Sequence, residues 1–267
     1  MVSFRVVPTE FISDGELLRG NFWVPEGEDS FPGICKFHGL PGSTDQVGGI
    51  ASRLAASGFV VLTFDFRGFR SSGGLFSLAN EVEDAWNAVS HLLKFKQVMK
   101  DWVGVYGASY GGAVAVLAAT RDKRIRAVCV RAPVYDTLEF ARSPLIQPQV
   151  DYLLENFPDV IHGLSNAETR EKLLNGMVED AKKLNPASEI QQISPRPVLI
   201  ITGDADKEIK LDGVRSFYES AKQPKKLVVI EGADHELTNP KAFEESIETA
   251  VNWFKQLKKR LEYSHNC

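Results

Sequence analysis

Between an apolar, β-branched run at 102–106 and a run of small residues at 112–119, the chain reads Gly107-Ala108-Ser109-Tyr110-Gly111. This is the pattern G-x-S-x-G, which carries chemistry when a strand leads into it and a helix leaves it. The flanking runs predict that setting. A serine on so tight a turn needs glycine on both sides, because bulkier neighbours would collide. The turn lifts its Oγ above the sheet edge, and the following helix adds its N-terminal dipole. A hydroxyl is a poor nucleophile at neutral pH, so the reading also requires a base within hydrogen-bond reach and a third group to orient that base. Two later segments offer both. The apolar run 198–202 ends in Gly203-Asp204-Ala205-Asp206, and 226–230 ends in Glu231-Gly232-Ala233-Asp234-His235. Serine, aspartate and histidine therefore follow one another along the chain, each at the carboxyl end of an expected strand.

Those strands belong to a longer series. Residues 4–7 and 17–23 read as an antiparallel edge hairpin turning at Ser13-Asp14-Gly15, where glycine supplies positive φ. Further strands are expected at 33–37, 59–64, 102–106, 125–130, 198–202 and 226–230, each short and apolar enough to be buried on both faces. Helical spacing separates them: Leu78, Val82, Trp86, Val89 and Leu93 form one stripe, and Phe243, Ile247, Val251, Phe254, Leu257 and Leu261 another. Asn239 is placed to cap the last helix, with Pro240 at its first position. Strands alternating with helices predict a mostly parallel sheet covered on both faces. From Pro133 to Pro195 no strand is expected, yet Leu138, Phe140, Leu145, Ile146, Tyr152, Leu153, Leu154 and Phe157 must pack on something. The reading is a core of residues 1–134 and 190–267 with a helical cap insertion at 135–189, a pair of ordinary peripheral helices being the plainer alternative.

With these residues assembled, the chain resembles the α/β-hydrolase superfamily, and within it the small cytoplasmic carboxylesterases that include cinnamoyl and feruloyl esterases. The resemblance spans residues 17–260. It is carried by His38-Gly39-Leu40-Pro41-Gly42, Asp65-Phe66-Arg67-Gly68-Phe69-Arg70-Ser71-Ser72-Gly73, the turn around Ser109, Gly203-Asp204-Ala205-Asp206-Lys207-Glu208-Ile209, and Asp234-His235. It implies an α/β-hydrolase fold with an eight-stranded, mostly parallel sheet, and its chain order of Ser, Asp, His is met here. The family pattern Gly-x-x-Asp-x-x-(Val/Ile) falls on Gly203, Asp206 and Ile209, which makes Asp206 the orienting acid. Asp204 is then a turn residue and Asp234 a loop or supporting carboxylate. By the same resemblance the backbone N–H groups of Leu40 and Tyr110 form the oxyanion hole, with Gly39 and Gly42 letting that loop approach closely. His38 reads as a structural brace, and the arginines of 65–73 as ion-pair or turn partners.

The implied activity is that of a carboxylesterase-type serine hydrolase. It would cleave esters with short or aromatic acyl groups through an acyl-enzyme, without metal or organic cofactor. Ferulate-like chains would suit a cap carrying Phe140, Tyr152 and Phe157. The alternatives are a serine peptidase or acyl-peptidase, a lactone or thioester hydrolase, and a non-catalytic ligand receptor on the same fold. A prolyl-oligopeptidase-like peptidase would need a propeller domain for which this length leaves no room. Serine at the turn argues against dehalogenase and epoxide hydrolase chemistry, which uses a carboxylate nucleophile, and departs from the cysteine of dienelactone hydrolases.

Composition narrows the partners. The chain has 267 residues with 31 Lys+Arg against 35 Asp+Glu, a formal charge of −4, which opposes phosphate-driven binding to nucleic acid. No G-x-G-x-x-G follows the first buried strand, and no P-loop is present. The longest purely apolar run, 113–119, is far short of the roughly 18 residues of a membrane span. The first ten residues do not read as a secretory signal, so a cytoplasmic location is expected. Cys35, Cys129 and Cys267 have no CxxC spacing; the first two sit in apolar strands, as small buried hydrophobes do, and neither a disulfide framework nor a zinc site is expected. The expected partner is a small-molecule ester. A homodimer through exposed helices or an edge strand is compatible with the sequence, though no residue argues for it.

Overall fold

The computed structural model describes residues 2–27, 30–41 and 49–265, the side chains of 262–265 excepted. β1 (Phe4–Ser13) and β2 (Glu16–Pro25) pair antiparallel, Phe4 opposite Pro25 and Ser13 opposite Glu16. They turn through Asp14 and Gly15, both at positive φ (48° and 83°), the twist a two-residue hairpin demands. Both strands run past their expected spans. In β1, the polar Thr9 and Glu10 and the N–H-lacking Pro8 interrupt the apolar run before Phe11 and Ile12 resume it, an interruption that an edge strand tolerates and an apolar-run criterion reads as an end.

The remaining strands are β3 (Phe31–Phe37), β4 (Val60–Phe64), β5 (Val98–Ala108), β6 (Ile125–Arg131), β7 (Val198–Gly203) and β8 (Lys225–Ile230), parallel to one another. The order across the sheet is β1-β2-β4-β3-β5-β6-β7-β8. The chain lays β4 on one side of β3 and then crosses to lay β5 on the other. At such a switch the loops leaving neighbouring carboxyl ends diverge and open a crevice. Leu40 follows β3 and Ser109 follows β5, so both border this point.

Buried strands alternate their side chains between two apolar layers, as period two requires. Val198 and Ile200 of β7 face the layer built by α2 (Leu78–Lys94), α3 (Tyr110–Arg121) and α8 (Leu211–Ser220). Leu199 and Ile201 face the layer built by α1 (Ile50–Ala55) and α9 (Pro240–His265). Cys35 and Cys129 are buried thiols, one in each layer. Asn239 caps α9 as expected, its Oδ1 accepting from the N–H of Lys241 at 2.9 Å. The α2 stripe differs from its expected course: Leu78, Val82, Ala85, Val89 and Leu92 are buried, while Trp86 is 50% exposed and Leu93 only packs at the margin. A helix of 3.6 residues per turn carries Trp86 off the buried face, where the Arg124 guanidinium lies 4.8 Å from its ring.

Between β6 and β7, α4 (Thr137–Ala141), α5 (Ile146–Asn156), α6 (Ala167–Ala181) and α7 (Pro186–Glu189) follow one another with no strand. An isolated bridge from Phe69 to Ile161 ties this stretch to the loop after β4. Among the described residues no helix is long and apolar enough to cross a membrane.

Candidate active site

The turn from β5 into α3 explains why the sequence needs its glycines. A Cβ on Gly107 would lie 2.1 Å from the Gly111 carbonyl oxygen, and one on Gly111 would lie 2.4 Å from that of His38. Ser109 between them holds φ 54° and ψ −122°, a conformation that costs a residue with a side chain. The surrounding backbone enforces it. Ser109 N–H donates to the Arg131 carbonyl (2.9 Å), and the Ser109 carbonyl accepts from Gly112 (2.9 Å) and Val134 (3.0 Å).

Asp206 and His235, the expected orienting acid and base, follow the ends of β7 and β8. His235 Nε2 is 3.0 Å from Ser109 Oγ, and His235 Nδ1 is 2.8 Å from Asp206 Oδ2. All three residues are buried, at 5%, 7% and 8% exposure for Ser109, His235 and Asp206. Asp206 Oδ1 accepts the N–H groups of Glu208 (2.9 Å) and Ile209 (2.8 Å), which leaves Oδ2 for the imidazole. Burial works against the charge on Asp206. The hydrogen bond and charge of His235, with the two backbone donors, outweigh it and hold the carboxyl below its ordinary value. The other two aspartates stand apart. Asp204 accepts the Gly232 N–H at 2.7 Å and so ties the loop after β7 to the one after β8 rather than bonding within its own turn, whereas Asp234 accepts the Thr238 N–H at 2.8 Å and organises its own turn.

His38 is fully buried beneath this turn. Its Nε2 accepts the Phe66 N–H at 3.1 Å while Nδ1 lies 2.9 Å from the Gly39 carbonyl, an arrangement that suits only a neutral ring with the proton on Nδ1. Burial pushes its pKa down to about 3, so it braces the loop and takes no proton at neutral pH. Arg67 likewise serves structure, its Nε 2.7 Å from the fully buried Asp84 Oδ1 and its Nη2 2.8 Å from Glu83.

Leu40 is half-buried on the loop after β3, and Tyr110 opens α3 with its ring 5.9 Å from Phe76 and 5.6 Å from Phe140. Gly42, expected to ease the same loop, lies outside the described residues. A cavity of about 670 Å³ adjoins this corner, lined by Leu40, Tyr152, Phe157, Met177, Glu208 and Glu236 among others. Phe140, expected beside Tyr152 and Phe157, is absent from its lining and packs instead on Tyr110. Among the described residues no three His, Cys, Asp or Glu side chains gather as a metal-ligand set.

Two residues at the site escaped the sequence reading. Arg131, 4% exposed, donates from Nη1 to the His235 carbonyl, while its own carbonyl holds Ser109 N–H; the one signal was a charged residue closing an apolar strand. Glu208, two residues beyond Asp206, places Oε2 3.9 Å from His235 Nε2. Nothing in its spacing distinguishes it from any solvated glutamate. The assembled geometry supplies a hydroxyl, an imidazole able to accept its proton, a carboxylate beyond, and an apolar chamber alongside.

Known proteins share this frame. Over 96% of its length the chain superposes on the α/β hydrolase GrgF from Penicillium sp. sh18 with a TM-score of 0.74, 22% identity and 98% of that chain covered. Est1E from Butyrivibrio proteoclasticus, solved with ferulic acid bound, gives 0.75 at 21% identity, covering 93% of this chain and 98% of that one. YfhR of Escherichia coli O157:H7 is 26% identical over 228 residues, 83% of this chain and 70% of the relative. The profile of the prolyl oligopeptidase family matches residues 46–260, from α1 through most of α9 and across all three hydrogen-bonded residues. On that match, and on the sheet that carries it, the chain belongs to the prolyl oligopeptidase family of α/β hydrolases.

Proposed function

We propose that this protein is a serine hydrolase that cleaves carboxylic esters with short or aromatic acyl groups through an acyl-enzyme. The observation that carries the reading is the unbroken chain from Ser109 Oγ to His235 Nε2 (3.0 Å) and from His235 Nδ1 to Asp206 Oδ2 (2.8 Å). In the first step Ser109 Oγ bonds to the ester carbonyl carbon as its proton passes to His235 Nε2. The backbone N–H groups of Tyr110 and Leu40 receive the negative charge that develops on the carbonyl oxygen. The carbon–oxygen bond to the alcohol then breaks, and Nε2 returns the proton to the leaving oxygen. Water repeats the sequence in the second step and releases the acid. Asp206, held charged, orients the imidazole and balances the imidazolium.

Residues 135–189 act as a cap that shapes the chamber, since Tyr152, Phe157 and Met177 of its wall come from this stretch. Ferulic acid bound to the structurally similar Est1E supports an aromatic acyl group. The first test is initial rates on p-nitrophenyl esters from acetate to dodecanoate, with methyl ferulate beside them and Ser109→Ala as the blank. Fluorophosphonate labelling of the same two proteins reports the nucleophile independently. Turnover and labelling that vanish in Ser109→Ala are expected; a wild type that neither turns over nor labels overturns the reading. Amide cleavage is a second reading favoured by the family match, and a matched p-nitroanilide series separates it from ester cleavage.

A further inference from the structure

The wall of the chamber has an uneven charge. Among its described lining residues the charged ones are Glu208 and Glu236, with no lysine, arginine or histidine, and most of the rest are apolar. Both carboxylates are exposed where the apolar cavity meets solvent, so their like charges add at its mouth and are open to screening by salt. Their position matters more than their number. Glu208 Oε2 lies 3.9 Å from His235 Nε2, and Glu236 is the residue next to that histidine. Nε2 is the atom that returns a proton to the departing alcohol, so a carboxylate this near it stands beside the leaving group. Glu208 is also held from the far side: Gln149 of α5 donates from Nε2 to the same oxygen at 3.2 Å. A glutamate tethered between the inserted helices and the base has a defined position toward a substrate, which a freely solvated one lacks.

We propose that the site selects esters whose leaving alcohol carries a positive charge a few ångströms from the scissile oxygen, with Glu208 as the carboxylate that reads it and Glu236 in support. The substrate class is an ester of a cationic amino alcohol, protonated or quaternary, whose apolar acyl part occupies the chamber. This inference rests on the hydrolase reading above. Opposite charges about 6 Å apart in a half-solvated mouth favour the cationic ester over a neutral isostere by roughly tenfold in kcat/KM.

The test compares benzoylcholine with 3,3-dimethylbutyl benzoate, which has the same shape without the charge and carries an acyl group within the proposed range. Wild type is expected to prefer the choline ester about tenfold, and Glu208→Gln to reduce that preference to threefold or less. Glu171→Gln, on the exposed surface of α6 and outside the chamber lining, should keep the wild-type ratio. Raising NaCl from 50 mM to 1 M should shrink the wild-type ratio by screening, a readout that needs no variant to fold. A wild-type ratio near one, or one that survives both Glu208→Gln and high salt, overturns the proposal. Absence of Ser109-dependent turnover on both esters is a different result, because it overturns the hydrolase reading itself.

Discussion

A methyl group added at Gly107 would lie 2.1 Å from a backbone oxygen, whereas one added at Gly176 in α6 meets nothing within 4 Å. The two glycines represent two regions built in different ways. Around Ser109 every position is fixed by main chain: strand ends, a turn at positive φ, and carbonyls that accept from Gly112 and Val134. In the stretch between β6 and β7, Tyr152 and Phe157 line the chamber and are 56% and 50% exposed. The first arrangement leaves no room for a side chain at Gly107 or Gly111 and permits little substitution. The second presents replaceable side chains to whatever enters. Chemistry and selectivity are thereby assigned to parts of the chain that can change independently.

Breaking the first region should have the largest effect. Ser109→Ala and His235→Ala are expected to lower kcat/KM by about 10⁴ or more while circular dichroism and melting temperature stay near wild type. Asp206→Asn should cost at least about 10² more in kcat than Asp204→Asn, because only the former removes the acceptor at His235 Nδ1; equal losses would reassign the orienting acid. Gly107→Ala should destabilise the fold by about 3 kcal/mol or more, read by urea denaturation, since the atom it meets is backbone.

His38 sharpens the same region through pH. Its pKa lies near 3 in the folded protein and near 6.5 when unfolded, so below pH 6.5 the unfolded chain binds a proton that the native state refuses. Stability from this group is therefore complete at neutral pH and falls as the pH drops from 6.5 toward 3. By pH 4.5 the loss is about 3 kcal/mol. Denaturation at pH 7.5 and 4.5 should show wild type losing about that much more than His38→Asn. The smallest effect belongs to the second region: Gly176→Ala, in open space on a helix, should raise stability by about 0.5–1 kcal/mol without changing kcat.

What the sequence disclosed follows the same division. The buried strands were legible because β-branched runs buried on both faces have few other readings, and the turn at Ser109 because glycine flanks it for steric reasons that composition cannot disguise. Asn239 and Pro240 marked the start of α9 through local backbone chemistry alone. Trp86 was misplaced because apolar character says nothing about which flank of a stripe a residue occupies, and here an arginine covers it from outside. Phe140 was read with Tyr152 and Phe157 on shared aromaticity, but its contact is with Tyr110, a partner that only the folded chain brings near. Arg131 and Glu208 were invisible for the same reason: each acts through His235, more than twenty-five residues away along the chain.

The hydrogen bond between Ser109 and His235 joins residues separated by 126 positions. A chain growing from its amino end completes the serine turn long before β8 exists to deliver the imidazole. At roughly 5–20 residues per second that interval is about 6–25 s. Through it the nascent protein carries Ser109 without His235, so under the proposed mechanism it gains no activity until the last strand of the sheet has paired.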